Sequence, residues 1–394
     1  MNIALIILVF IASVVIILIL STRSLWMSIF LGALLISFIC NNPSECLIKG
    51  LESIISMEML LLAFALAEIP IIGKILESDL QNVFGSMNNK IASMLGPATL
   101  GLLPIPGGAV LSCPIVEKSL EKIKKDHEKV AINVWFRHIL FLVYPLSSSL
   151  IVAATVAEID LLYIIPYMIP VFFVALVIGY LYYFKKGLTS TNNGNLEKKS
   201  ILPIAIIISA PIIQIFLRVV GVDIDIATFI AVTIVLIASI LCYRVKFGDI
   251  QKIVLKMKVW NFSLILLAII FYAKIFSLSQ VPQVIRDIRV NVLVISVIIP
   301  LALGFLTGRV QLTASLVIPI ILYGYGSISV GTFVVVYCAA LGGYLMSPAH
   351  PCLVLSSEYF HSDVRLSIRD LLIPTFVFVL FSTVYGLFLN MLIG

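Results

Sequence analysis

Long apolar stretches separated by short polar ones run along the whole chain. Apolar runs at about 1–21, 25–41, 54–76, 131–157, 160–184, 201–220, 226–243, 259–278, 330–360 and 370–392 approach the length a helix needs to cross a bilayer. The pattern predicts an all-α polytopic membrane protein with about ten spans. Two spans are interrupted by polar and helix-breaking residues, Tyr144-Pro145-Leu146-Ser147-Ser148-Ser149 and Ser347-Pro348-Ala349-His350-Pro351-Cys352. Two further stretches, about 91–115 and 292–325, read as re-entrant hairpins. The first gathers Pro104, Pro106, Gly107 and Gly108 at its tip. Proline lacks an N–H and clashes with the preceding turn, and glycine loses the most entropy in a helix. The second hairpin turns near Thr307, Gly308 and Arg309. Backbone groups freed at membrane depth need protein or water around them, so each break marks a place where something polar approaches.

The polar stretches divide the chain. Residues 117–130 carry five lysines and predict a solvated helix, and 244–258 predict a basic amphipathic loop. Residues 185–200 are polar and rich in Gly, Asn and Ser, a linker between a first unit, 1–184, and a second, 201–394. The units align without a gap at an offset of 203. Lys49 then falls on Lys252, Asn88 on Asn291, Ser93 on Ser296 and Pro97 on Pro300. Gly101 falls on Gly304, Ser112 on Ser315 and Pro145 on Pro348. Each unit has five crossings and one hairpin. Five is odd, so the second unit starts on the opposite side of the membrane, as an inverted repeat.

Composition and charge agree. The chain is 61% hydrophobic and 12% charged, far from an average soluble domain, with a net charge of +6. With both termini outside, most of the 26 Lys and Arg residues fall in cytoplasmic segments. Basic residues confined to such loops do not suggest nucleic acid as a partner. The expected location is the cell membrane. The first span lacks a basic start and a small-residue cleavage site and reads as uncleaved. The six cysteines form no CxxC and read as apolar packing residues. GxSxG, HExxH and GxxxxGK[ST] are absent, and the long loops reach only about 15 residues, which argues against an enzyme or an ATP-driven pump.

The candidate site residues lie at the breaks. Half-helix ends at the midplane are the usual place for a transport site, with N–H groups aimed at anions. Pro104, Pro106, Gly107 and Gly108 would let backbone approach a substrate. Ser147, Ser148 and Ser149 offer hydroxyls that bond either a substrate or their own helix. Thr307, Gly308, Arg309, Gln311 and Thr313, with Ser315, form a polar cluster in an apolar run. Arg309 suits an oxyanion, or alternatively pairs with a buried carboxylate or snorkels to the surface. His350 could bind substrate, carry a proton or cap a half-helix. Arg137–His138 reads as a snorkelling surface pair, and Glu68 as interfacial. No metal site is expected.

The order of spans, hairpin, broken span and span, repeated with inversion, resembles the ion-transporter superfamily of secondary carriers. Its members include divalent-anion/sodium symporters and citrate, gluconate and arsenite permeases. Within it, Leu103-Pro104-Ile105-Pro106-Gly107-Gly108-Ala109 and the stretch from Ser347 to Phe360 look like an uncharacterised family of prokaryotic integral membrane proteins. The resemblance implies a scaffold part and a moving part, an elevator-type motion, a homodimer, and a site at the hairpin tips and broken helices. The Ser-Asn-Thr tips of the sodium-coupled anion symporters are missing here. The expectation is a secondary transporter of a small organic anion, without a cofactor and driven by Na+ or H+. An anion channel and a membrane-embedded lipid enzyme are the alternatives.

Overall fold

Apolar runs broken at prolines and glycines become helices that stop and restart inside the protein. The computed structural model describes residues 2–85, 90–103, 108–120, 124–184, 201–288 and 290–393. Pro104, Pro106 and Gly107 and the linker 185–200 lie outside the described residues. The first half forms α1 (Ile3–Leu20), α2 (Leu25–Ser37), α3 (Pro43–Ile55), α4 (Met57–Gly85), α5 (Lys90–Gly101) and α6 (Gly108–Leu120). It continues with α7 (Asp126–Ile139), a 3₁₀ turn at Leu140–Leu142, α8 (Ser148–Val156) and α9 (Leu161–Phe184). The second half forms α10 (Leu202–Val219), α11 (Ile224–Tyr243), α12 (Phe247–Met257), α13 (Trp260–Leu278) and α14 (Val281–Ile288). A π-helical turn, Val294–Ile298, leads into α15 (Ile299–Thr307), followed by α16 (Val310–Tyr325), α17 (Val330–Met346), α18 (Pro351–Tyr359) and α19 (Val364–Ile393). Eight stretches among the described residues are long and apolar enough to cross a membrane, counting α17 and α18 as one.

Five local expectations change. The charged run 117–130 is not one surface helix: α6 ends at Leu120 and α7 begins at Asp126. Carboxylates favour a helix start, and Glu128 accepts the Lys125 N–H at 3.0 Å. Lys129 is buried, so the run is not wholly solvated. Residues 244–258 hold the helix α12 rather than a loop. Between the second and third apolar runs stands an unexpected helix, α3, started by Pro43 at its first turn and by Asn42, whose side chain accepts the Glu45 N–H. Cys40 and Cys46 are joined in a disulfide instead of serving only as packing residues. The last helix also starts earlier than its apolar run, because Asp363 accepts the Arg365 N–H at 2.8 Å.

Packing sorts the helices into two groups. In one, α1 packs on α2, α2 and α3 on α13, α4 on α11, α12 and α13, and α10 on α11. In the other, α7 packs on α5, α6, α9, α18 and α19, while α17 packs on α15, α16, α9 and α19. The groups meet where α4 touches α5 and α6 and where α13 touches α8 and α16. Burial places the broken helices at the centre: the apolar window of Val330–Tyr359 is 83% buried, against 17% for α1.

Candidate functional site

Each break has a local cause. Pro348 cannot continue α17, and Pro351 opens α18 at a position where its missing N–H is harmless. Pro145 lies in the corresponding gap between Leu142 and Ser148. The turn between α15 and α16 is set by Gly308, in the left-handed region at φ +60. A Cβ there would stand 2.7 Å from the Ala349 carbonyl carbon. Glycine therefore lets this turn lie directly on the peptide leading into His350.

A second contact ties the same turn to the other break. Gln311 Nε2 donates to Ser148 Oγ at 3.0 Å. Asn133 sits fully buried on α7 and donates from Nδ2 to the Ala109 carbonyl (3.2 Å), to Cys113 Sγ (3.3 Å) and to Ser356 Oγ (2.9 Å). It joins α6, α7 and α18 at one point. Close backbone approach does the same for α5 and α7, since a Cβ on Gly101 would strike the Arg137 carbonyl oxygen. A cavity of about 40 Å³ between the two helix groups is lined by Leu66, Ile69, Leu102, Ser147, Ser148 and Phe262 among others.

Around the second break lies a compact polar cluster. His138 Nδ1 is 2.7 Å from the Val134 carbonyl. A carbonyl only accepts, so Nδ1 carries the proton and Nε2 keeps a lone pair. Nε2 accepts the Tyr344 hydroxyl at 3.1 Å. Tyr344 lies against the His350 ring, with centroids 3.8 Å apart. The His138 and His350 rings are 4.8 Å apart. His350 is fully buried, and neither ring nitrogen has a hydrogen-bond partner. The Tyr344 and Leu345 carbonyls stand beside the ring without reaching hydrogen-bond geometry.

Two arginines stand at the broken elements: Arg137 near the end of α7 and Arg309 at the start of α16. Arg137 is only 4% exposed and donates to Ser112 Oγ at 3.4 Å, a long hydrogen bond. Among the described residues, neither guanidinium is paired with a carboxylate. A buried, unpaired guanidinium is costly in an apolar interior.

The expected residues therefore divide. Gly308, Gln311, Ser148 and His350 come together at the breaks, with Arg309 beside them. Ser147 and Ser149 are buried, and Ser147 lies near the Tyr337 hydroxyl. The Thr307 and Thr313 hydroxyls are spent on their own backbone, on the Leu303 carbonyl (2.7 Å) and the Arg309 carbonyl (3.0 Å). Gly108 opens α6 and is buried. His350 is the N-cap residue of α18, but its side chain makes no capping bond, which removes the capping role. The pair Arg137–His138 is buried at the cluster rather than snorkelling at a surface. Buried Asn133 and half-buried Tyr344 beside these groups were not anticipated, whereas Cys352 belongs to the break already expected at 347–352. A clue to Arg137 was its position within an apolar run shortly before a break. Glu68, half-buried on α4, accepts the Thr233 hydroxyl at 2.9 Å.

Apolar helices in this number, enclosing a centre of interrupted ones, define a multi-pass helical membrane protein with a buried polar site. Residues 3–388 match the family described as "Protein of unknown function (DUF401)", and the chain belongs to that family. No curated protein matches it.

Proposed function

We propose that this protein is a secondary active transporter of a small, carboxylate-like organic anion across the cytoplasmic membrane, driven by a Na+ or H+ gradient. The observation that carries the reading is the pair Arg137 and Arg309. One comes from each half, Arg137 buried on α7 and Arg309 half-buried at the start of α16, and no described carboxylate pairs with either. An anionic substrate supplies the missing countercharge, and guanidinium forks suit carboxylates. The breaks beside it add half-helix ends and free backbone groups.

In this reading 1–184 and 201–394 are inverted repeats, and α5–α6 and α15–α16 are re-entrant hairpins. Element boundaries support it. Shifted by 203, α8 falls on α18 from end to end, Met57 of α4 falls on Trp260 of α13, and Leu161 of α9 falls on Val364 of α19. The packing exchanges in the same way: α2 lies on α13 and α11 on α4, α6 on α18 and α16 on α8. A Cβ on Gly101 would strike the Arg137 carbonyl and one on Gly304 the Ala340 carbonyl, again 203 apart. Helices α5, α6 and α16, of 12, 13 and 16 residues, are shorter than the roughly 20 a span needs. The Cys40–Cys46 disulfide falls in a segment this topology puts outside, where disulfides persist. Both termini are then outside. The two helix groups serve as scaffold and moving part of an elevator, in a homodimer.

The test is uptake into proteoliposomes under an imposed gradient, starting from carboxylates that raise the melting temperature of the purified protein. Arg309→Ala is expected to abolish uptake while the protein stays monodisperse. Undiminished uptake removes Arg309 from the site, and unsaturable, gradient-independent flux rejects the carrier.

A further inference from the structure

We propose that His138, His350 and Cys352 form a binding site for a single zinc ion. One potential ligand atom from each residue lies within 4.8 Å of the others, with both histidines buried and Cys352 half-buried. Proximity alone would not carry the inference. The second observation is His350, fully buried with both ring nitrogens unpartnered. A buried imidazole without any hydrogen bond is costly, and an ion held by one nitrogen removes part of that cost. His138 provides the orientation a metal-bound histidine usually has. Its Nδ1–H is anchored on the Val134 carbonyl at 2.7 Å, so Nε2 is the nitrogen left to ligate.

The donor set indicates the metal. Two neutral imidazoles and one thiolate suit zinc, whereas calcium and magnesium prefer oxygen ligands. Zn–N of about 2.0–2.1 Å and Zn–S of about 2.3 Å place tetrahedral ligand atoms about 3.3–3.7 Å apart. The three atoms must therefore close by about 1 Å, a shift within the reach of a rotation about χ1 of Cys352. On binding, the Tyr344 hydroxyl gives up its hydrogen bond to His138 Nε2, and Cys352 loses its proton to become a thiolate. That thiolate offsets one of the ion's two charges, and an anion in the open fourth position would offset the other. Three protein ligands leave the fourth position open. The proposal stands apart from the transport reading, because metal binding is measured without substrate.

The experiment is titration of full-length protein in detergent with Co2+ and then Zn2+. Expected are one equivalent bound, a thiolate-to-cobalt charge-transfer absorption, and its displacement by Zn2+. Cys352→Ser should abolish the charge-transfer band, and His350→Gln should weaken binding by about tenfold or more. Monodisperse elution of both variants checks that they fold. Absence of saturable binding overturns the proposal. So does a charge-transfer band that survives Cys352→Ser, which would assign the metal to Cys113, Cys242 or Cys338.

Discussion

The two broken helix pairs solve the same backbone problem with different chemistry. Helices α8 and α18 are both nine residues long, and each follows a gap containing a proline. In the first pair, polar groups lie on the arm before the gap: Asn133, Arg137 and His138 are all buried on α7. The gap itself offers serines, and Ser148 is already engaged by Gln311. In the second pair the arm α17 is almost wholly apolar, and the reactive groups sit at its end and beyond, in Tyr344, His350 and Cys352. Backbone geometry constrains where a helix can stop. It leaves the side chains around the stop free to differ, so two breaks of like geometry carry unlike groups.

The sharpest way to break this comparison is to remove the two arginines separately. In the proposed site each guanidinium pairs with the bound substrate's carboxylate, and truncating one partner of such a pair costs about 2–5 kcal/mol, so Arg309→Ala and Arg137→Ala should each cut uptake by about 30-fold or more. Lysine at 309 should restore only part, since it keeps the charge and loses the fork. Should only one alanine variant fail, the site belongs to a single half. Next come the glycines at matched close approaches. Gly101→Ala and Gly304→Ala each force a Cβ into a carbonyl, and overpacking of this kind costs about 1–3 kcal/mol. Both should lower the melting temperature, whereas Gly248→Ala, with open space around it, should change stability by no more than about 0.5 kcal/mol.

Smaller effects probe the ties between elements. Asn133→Ala should destabilise by about 1–3 kcal/mol, because it strips a partner from buried groups on α6 and α18. The smallest expected effect is at Gln311 and Ser148. A double-mutant cycle on melting should give a coupling of about 1 kcal/mol, the net value of one hydrogen bond. A coupling of zero would mean that the second turn and the first break are neighbours without being linked.

Much of the architecture was legible in the chain. Predicted spans at 160–184, 201–220, 226–243 and 259–278 became Leu161–Phe184, Leu202–Val219, Ile224–Tyr243 and Trp260–Leu278. Apolar length is a strong signal because the bilayer requires it. The interruptions at 145–149 and 348–352 were equally plain, since proline acts on its own neighbours. The polar helices α3 and α12 were harder to see, because their apolar faces are too short to read as spans. The candidate site was half visible. Arg309, Gln311, Ser148 and His350 stood out as polar residues at breaks. Arg137 and His138 looked like surface residues because their arm adjoins a lysine-rich run.

The sequence by itself determined that this is a helical membrane protein, where most of its long apolar helices run, and which residues interrupt them. These are local matters of hydrophobic length, capping and the conformational limits of proline and glycine. Only the tertiary structure decided what the interruptions face. His138 and His350 are more than 200 residues apart in the chain, yet their rings lie 4.8 Å from each other. Gln311 meets Ser148 in the same way, across the two halves. Side-chain partnership depends on packing between distant elements, and no local pattern records whether a buried imidazole or guanidinium will find a partner there.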